Sequence, residues 1–359
     1  MKRVFIIIVL AGMFIISAYS QRPPTDLNWE LFWEDDFNPI NTNIWNSLPC
    51  QFEKNHINVF TKRLDNVYTI SHHLVLRAKR ETYTCNGETR YYTGGIVAAK
   101  ADYFVRYGYI EAKIIIPYIK GVKSSFWTFN TNPTGNGDAG EIDIFEVQGS
   151  APSTIMGTNL WKYYCDCENY TCVSCSELYK QQCPDYNSSV LCYGQNVAIP
   201  SYANVSRTYA IEWSPAKFIW YVEGAAVRNF PNPGIHELVS TTLQLGVIKD
   251  PAPDETLPFP DQEMLIDYVR VYKLKFDCDT TVTEITNYDN PQLPNYYDYK
   301  VKKSISLSGI SSLTSGQNVS LRATDYIELT DGFYVPSDAE LYLDNNPCEV
   351  QTIKKKKGE

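Results

Sequence analysis

The chain has 359 residues, with 41 Asp and Glu against 32 Lys and Arg and a formal net charge of −9. That acidic surplus excludes a phosphate-reading nucleic-acid binder, which needs a basic face; the one dense basic run is Lys354 to Lys357. An aromatic share of 14%, with 27 Tyr and 7 Trp, excludes a disordered or coiled-coil chain, and the length suits one large domain of the β-sandwich or barrel kind with a small appendage, or two ordinary domains.

Met1-Lys2-Arg3, the apolar run from Val4 to Ile16 and the small residues Ala18 and Ser20 read as the charged, apolar and cleavage parts of a secretory signal over residues 1–20. The run is short for a membrane span and nothing later resembles one, so the mature chain is expected to be secreted, without a membrane span. All ten cysteines lie beyond this leader, an even number, as suits an oxidising compartment. The body of the chain is made of short β-branched or alternating pieces broken by Gly, Pro and Asn. Leu74 to Ala78, Gly108 to Pro117, Arg207 to Trp213, Lys217 to Val222 and Met264 to Leu274 predict strands of an all-β sandwich. No stretch sustains a helical period.

Among these strands, Gly140 to Glu146 carries three carboxylates in an otherwise apolar run. On a regular strand Glu141 and Asp143 share a face and Glu146 points the other way; one extra residue in a bulge between Asp143 and Glu146 restores all three to one face. The backbones of Glu141 and Glu146 are then roughly 13 Å apart, and inward-leaning side chains bring the carboxyls to about 5 Å. That is the separation of retaining glycosidases; inverting ones need roughly 6.5 to 9.5 Å for a water. The same residues also fit a solvated strand face or an oxygen-lined cation site.

Beyond the acids, Cys165, Cys167, Cys172, Cys175, Cys183 and Cys192 crowd an insertion over residues 162–194, which predicts a loop stapled by disulfides. A zinc site would need a second CxxC or suitably spaced histidines; the four His are scattered, with His72 and His73 adjacent. Asn169, Asn187, Asn204 and Asn318 lie in glycosylation sequons. Residues 276–300, rich in Asn, Asp, Tyr and Pro, predict a linker; 301–350 alternate again as a small β module; and 351–359 form a basic tail. Bridges are expected between Cys278 and Cys348, which bracket the module, and between Cys50 and Cys85.

Glu141-Ile-Asp143-Ile-Phe-Glu146 resembles the E-[IL]-D-x-x-E signature of glycoside hydrolase family 16, the laminarinase-like enzymes. The likeness extends to Leu31 through Phe37, Tyr107-Gly108 through Lys113, Ser125-Phe126-Trp127, Tyr209 through Trp213, Trp220 through Gly224 and Ile266 through Tyr272, in the family's order over about residues 26–274. The resemblance implies a concanavalin-like β-jelly-roll sandwich over residues 21–275, followed by the small C-terminal module. It implies an open cleft that cuts inside a polysaccharide, with Glu141 as nucleophile, Asp143 assisting it, Glu146 as acid/base, and Trp127 and Trp161 against the sugar. No cofactor is required. Relatives often hold a structural calcium near a position like Asp267, for which the sequence offers no full ligand set.

Two departures bear on the substrate. In the pattern G-x-W-P-A-F-W the first Trp falls on Lys123, replacing a sugar-stacking plate by a cation, and a His after the catalytic strand falls on Leu160. The expected activity is hydrolysis of internal β-1,3-glucan linkages by a monomer. A β-galactan such as agar, porphyran or carrageenan is the second reading, and a non-catalytic carbohydrate-binding lectin is the reading of another class.

Overall fold

The structure is a computed structural model that describes residues 29–345 except 48, 54, 131–137, 165–190, 215–216, 234, 236–237, 275–277, 289–295 and 299–300. The expected leader and basic tail, and most of the cysteine-rich insertion, lie outside the described residues. The first sixteen strands are β1 (Trp29–Asp35), β2 (Trp45–Ser47), β3 (Asn58–Phe60), β4 (Val67–Ile70), β5 (His73–Cys85), β6 (Glu88–Ala99), β7 (Gly108–Ile115), β8 (Val122–Phe129), β9 (Asp138–Gln148), β10 (Ile155–Tyr164), β11 (Leu191–Ala198), β12 (Ser206–Trp213), β13 (Lys217–Val222), β14 (Ala225–Pro231), β15 (Ser240–Val247) and β16 (Gln262–Leu274). Each strand expected from the pattern is present. Among the described residues there is no α-helix, only the 3₁₀ turns Ala101–Tyr103 and Gly309–Ser311.

The strands form two layers. One has the order β11-β10-β9-β8-β15-β6 and the other β5-β16-β7-β12-β13-β14, with β1 beside β16 and β4 beside β5. They join through β5, whose residues 74–78 pair with β16 and whose residues 79–85 pair with β6. Between the layers lies a core to which Phe126, Ile142, Phe145 and Leu243 contribute from one side and Ile110, Ile114, Tyr209 and Trp220 from the other. The period-two alternation that sends these inward sends their neighbours to the open face of the β9 layer. This is the β-jelly-roll sandwich. The expected Cys50–Cys85 disulfide is present, with Cα atoms 6.1 Å apart, and it pins the tip of the β5–β6 hairpin.

The small C-terminal sheet comprises β17 (Thr281–Val282), β18 (Tyr296–Asp298), β19 (Lys302–Leu307), β20 (Asn318–Leu329) and β21 (Glu340–Asn345), and every pairing in it is parallel. Tyr296 stands opposite Asn318 and Asn318 opposite Glu340, an offset of 22 residues each time. The module is thus a parallel coil in which each turn stacks on the last. Polar residues one turn apart bond each other, as Ser306 does Glu328 at 3.1 Å, while Ile305, Leu307, Val319 and Leu321 fill the centre. Within the segment expected as a linker, β17 is already paired, and Ile285 and Tyr288 are buried in the coil. Cys278 is disulfide-bonded; the expected partner Cys348 lies outside the described residues. The coil meets the sandwich where the Arg322 guanidinium lies 5.3 Å over the Tyr107 ring.

One buried acid in the second layer makes stability depend on pH. Glu111 is 2% exposed, and burial pushes its carboxyl up to about 7, against partial relief from the Tyr268 hydroxyl at 3.0 Å. Folding therefore takes up a proton. The stability Glu111 contributes is complete below the ordinary carboxylate range and falls as pH rises through about 7. Glu111→Gln is expected to flatten that fall by an amount on the order of 3 kcal/mol, read by urea unfolding of both proteins at pH 5 and pH 8.

Candidate active site

β9 is held between β8 and β10, and its register against both is broken at the same place. Phe126 stands opposite Phe145 and Trp127 opposite Asp143, so two steps along β9 match one along β8. Gly157 stands opposite Glu146 and Asn159 opposite Asp143, so three steps match two along β10. The bulge required by the spacing of the acids is present, with Ile144 as the extra residue. Ile142, Ile144, Phe145 and Val147 all enter the core, and Glu141, Asp143 and Glu146 are left on the open face. Trp220 of β13, fully buried, donates its indole N–H to the Asp143 carbonyl at 2.9 Å, giving that oxygen a partner where the ladder is disrupted.

Neighbours on the same face build a polar surround. Asn159 donates from one amide nitrogen to Asp143 Oδ2 at 2.9 Å and to Glu146 Oε2 at 3.1 Å. Trp161 donates its indole N–H to the same Asp143 oxygen at 3.1 Å. Asp143 Oδ1 is buried without a hydrogen-bond partner. Burial, and then the charge of Glu146, raise the Asp143 carboxyl well above the ordinary carboxylate value, although Asn159, Lys123 and Trp161 act the other way. Two N–H donors fix Oδ2 as an acceptor. Glu141 lies between Phe129 and Trp161 across the sheet. Trp127 is half-buried, outside the core cluster, 6.1 Å from the Phe129 ring.

Lys123 lies on the open face with the acids and is ion-paired there. Its ammonium forms an ion pair with Glu146 Oε1, and its side chain is 20% exposed. Burial would depress the ammonium, but Glu146, followed by Asp143 and Glu53, more than offsets this and holds its pKa above the ordinary lysine value. Glu53 comes from the segment before β3. It accepts from Gln244 at 2.7 Å and pairs with His56 at 3.0 Å; burial raises it, but these partners and Lys123 leave it below the usual carboxylate range.

Sequence pattern thus places Glu141, Asp143, Glu146, Trp127 and Trp161 on one face, as expected, and misses Asn159, Glu53, His56, Gln244 and Trp220. Leu160, where the pattern's His falls, is in the core opposite Ile142, and Asn159 takes the place facing the acids. Alternation along β10 from Trp161 was the signal that could have found it. The Asp267 carboxylate accepts from the Lys113 ammonium at 2.7 Å, and among the described residues no three His, Cys, Asp or Glu side chains gather to hold a metal.

Residues 53–242 match the family model for glycosyl hydrolases family 16. The chain belongs to that family. It is a laminarinase-like glycoside hydrolase acting on O-glycosyl bonds. A beta-glucanase of Rhodothermus marinus is 23% identical over 304 residues, covering 76% of this chain and 94% of the relative. The kappa-carrageenase of Pseudoalteromonas carrageenovora is 25% identical over 262 residues, covering 66% and 62%. The laminarinase catalytic domain from Thermotoga maritima superposes with a TM-score of 0.55 at 23% identity, over 68% of this chain and 98% of that domain.

Trp220→Phe leaves a buried carbonyl at the bulge without its donor. The expected loss is about 1–3 kcal/mol in thermal or urea unfolding, together with a fall in kcat larger than any change in KM, because the acids shift relative to one another.

Proposed function

We propose that the protein is a secreted, retaining endo-glycosidase that cuts internal linkages of a β-1,3-glucan of the laminarin type by double displacement. The observation that carries this reading is the bulge that turns Glu141, Asp143 and Glu146 to one open face. Glu141 attacks the anomeric carbon while Glu146 gives its proton to the departing glycosidic oxygen, and a glycosyl ester forms on Glu141. Glu146 then takes a proton from water as that water attacks the anomeric carbon and releases the Glu141 carboxylate. Asp143, two positions from Glu141 on the same face and fixed at Oδ2 by Asn159 and Trp161, assists the nucleophile. Trp127 and Trp161 offer apolar plates to sugar rings on the same face.

The glucan is supported by relatives bearing that activity in their names, among them the glucan endo-1,3-beta-glucosidase A1 of Niallia circulans, 24% identical over 293 residues, 72% of this chain and 40% of the relative. A β-galactan is the second reading, favoured by the carrageenase relative and by a cation where a stacking plate is expected. Export is supported by the leader pattern and the Cys50–Cys85 disulfide. Among the described residues no helix is long and apolar enough to cross a membrane.

Reducing-sugar release across laminarin, mixed-linkage glucan, agarose, porphyran and carrageenan tests the reading. Turnover on laminarin with early oligosaccharides, retention of the β-anomer by proton NMR, and a loss of about 10³-fold or more in kcat for Glu141→Gln are expected. Binding of a polymer without release would leave only a lectin.

A further inference from the structure

Around Glu146 and its ion-pair partner Lys123 of β8 stand Glu141 and Asp143 from the strand of Glu146, Glu53 with His56 on the Lys123 side from the segment before β3, and the neutral Asn159 of β10. Lys123 pairs with Glu146, and a second carboxylate is held nearby: His56, which pairs with Glu53, packs over Gly246, the residue facing Lys123 across the sheet, and Gln244, which donates to Glu53, faces Ser125. Glu53 attracts the same ammonium charge. Resting on the double-displacement reading above, Glu146 must carry a proton in the first step and lack one in the second. An ammonium seated on it serves the second step and opposes the first.

We propose that Lys123 and Glu53 are positioning residues that act as a pair on the acid/base: Lys123 sits on Glu146 when that group is a carboxylate, and transfers to Glu53 when Glu146 takes up its proton. Glu53 is suited to be the second seat because its own partners keep it ionised and fixed. The ammonium then never has to leave for water, and a charge that would block the acid step is stored on Glu53. Lys123 is flexible enough to make that transfer, with four rotatable bonds in its stem.

The proposal makes opposite predictions for its two members. In protein labelled with ¹³C at the glutamate carboxyls, with the Glu146 resonance identified by its loss in Glu146→Gln, the titration midpoint of Glu146 is expected to rise by about one unit in Lys123→Met. It is expected to fall by about half a unit in Glu53→Gln, where the ammonium has only one seat. The double variant is expected to match Lys123→Met, since Glu53 acts through the lysine, and Lys123→Arg is expected to stay near the parent. The alkaline limb of kcat/KM should move with the same signs. Midpoints unmoved by Lys123→Met, or a double variant shifted down from Lys123→Met as far as Glu53→Gln is from the parent, would overturn the pair. Far-UV circular dichroism and melting of each variant separate these outcomes from misfolding. The resonance reports on Glu146 without turnover, so an absence of hydrolysis on every polymer counts against the proposed function and not against the ion-pair switch.

Discussion

A strand that packs one face into a core can show three carboxylates on its other face only at even spacing, and Glu146 sits at an odd spacing from Glu141 and Asp143. The extra residue at Ile144 removes that conflict, and the rest of the site depends on it. Without it, a strand that keeps Glu141 and Asp143 outward would drive Glu146 into the core beside Phe126 and Tyr209 and, at the same time, turn Phe145 and Val147 out to water. The cost of a buried charge makes the first prohibitive, and the lost apolar burial makes the second unfavourable. The irregularity is supported from below by Trp220, which satisfies the Asp143 carbonyl from the opposite layer. The catalytic face is thereby tied to the core, so the geometry of the acids is set by packing as well as by hydrogen bonds on the open side.

Electrostatics on that side follow from crowding. Asp143 and Glu146 share the single amide donor of Asn159, and the burial of Asp143 beside a charged neighbour raises its carboxyl. The same crowding holds a lysine that a solvated surface would leave free, and through it joins the acids to Glu53 and His56, nearly a hundred residues earlier in the chain.

The sandwich was legible in the chain because its strands are short, alternating and separated by turn formers, and the bulge was legible because parity alone demands it. The contacts that tune the site were not. Alternation from Trp127 places Lys123 on the open face, but its partner depends on how β8 and β9 are registered past a bulge. Glu53 and Gln244 meet only through the tertiary fold, and nothing local distinguishes Glu53 from any other loop glutamate. Counting along Gly157-Thr-Asn-Leu-Trp161 by family pattern pointed to Leu160, where the pleat puts Asn159. The C-terminal region presents the reverse case: its 22-residue recurrence is in the sequence, as Ile305 and Leu307 against Ile327 and Leu329, but short alternating pieces carry no strand direction, and the parallel order emerges only from the stacked register.

That register gives the module a length measured in whole turns. Successive turns are offset by 21 to 23 residues, so a whole turn can be gained or lost with the flanking rungs kept, whereas an insertion of half a turn would break the polar ladders beyond it. Arg322 on one turn and Tyr342 on the next both meet Tyr107 of the sandwich. The coil is therefore held by two successive turns, while the acids on β9 are held separately, by the bulge and Trp220.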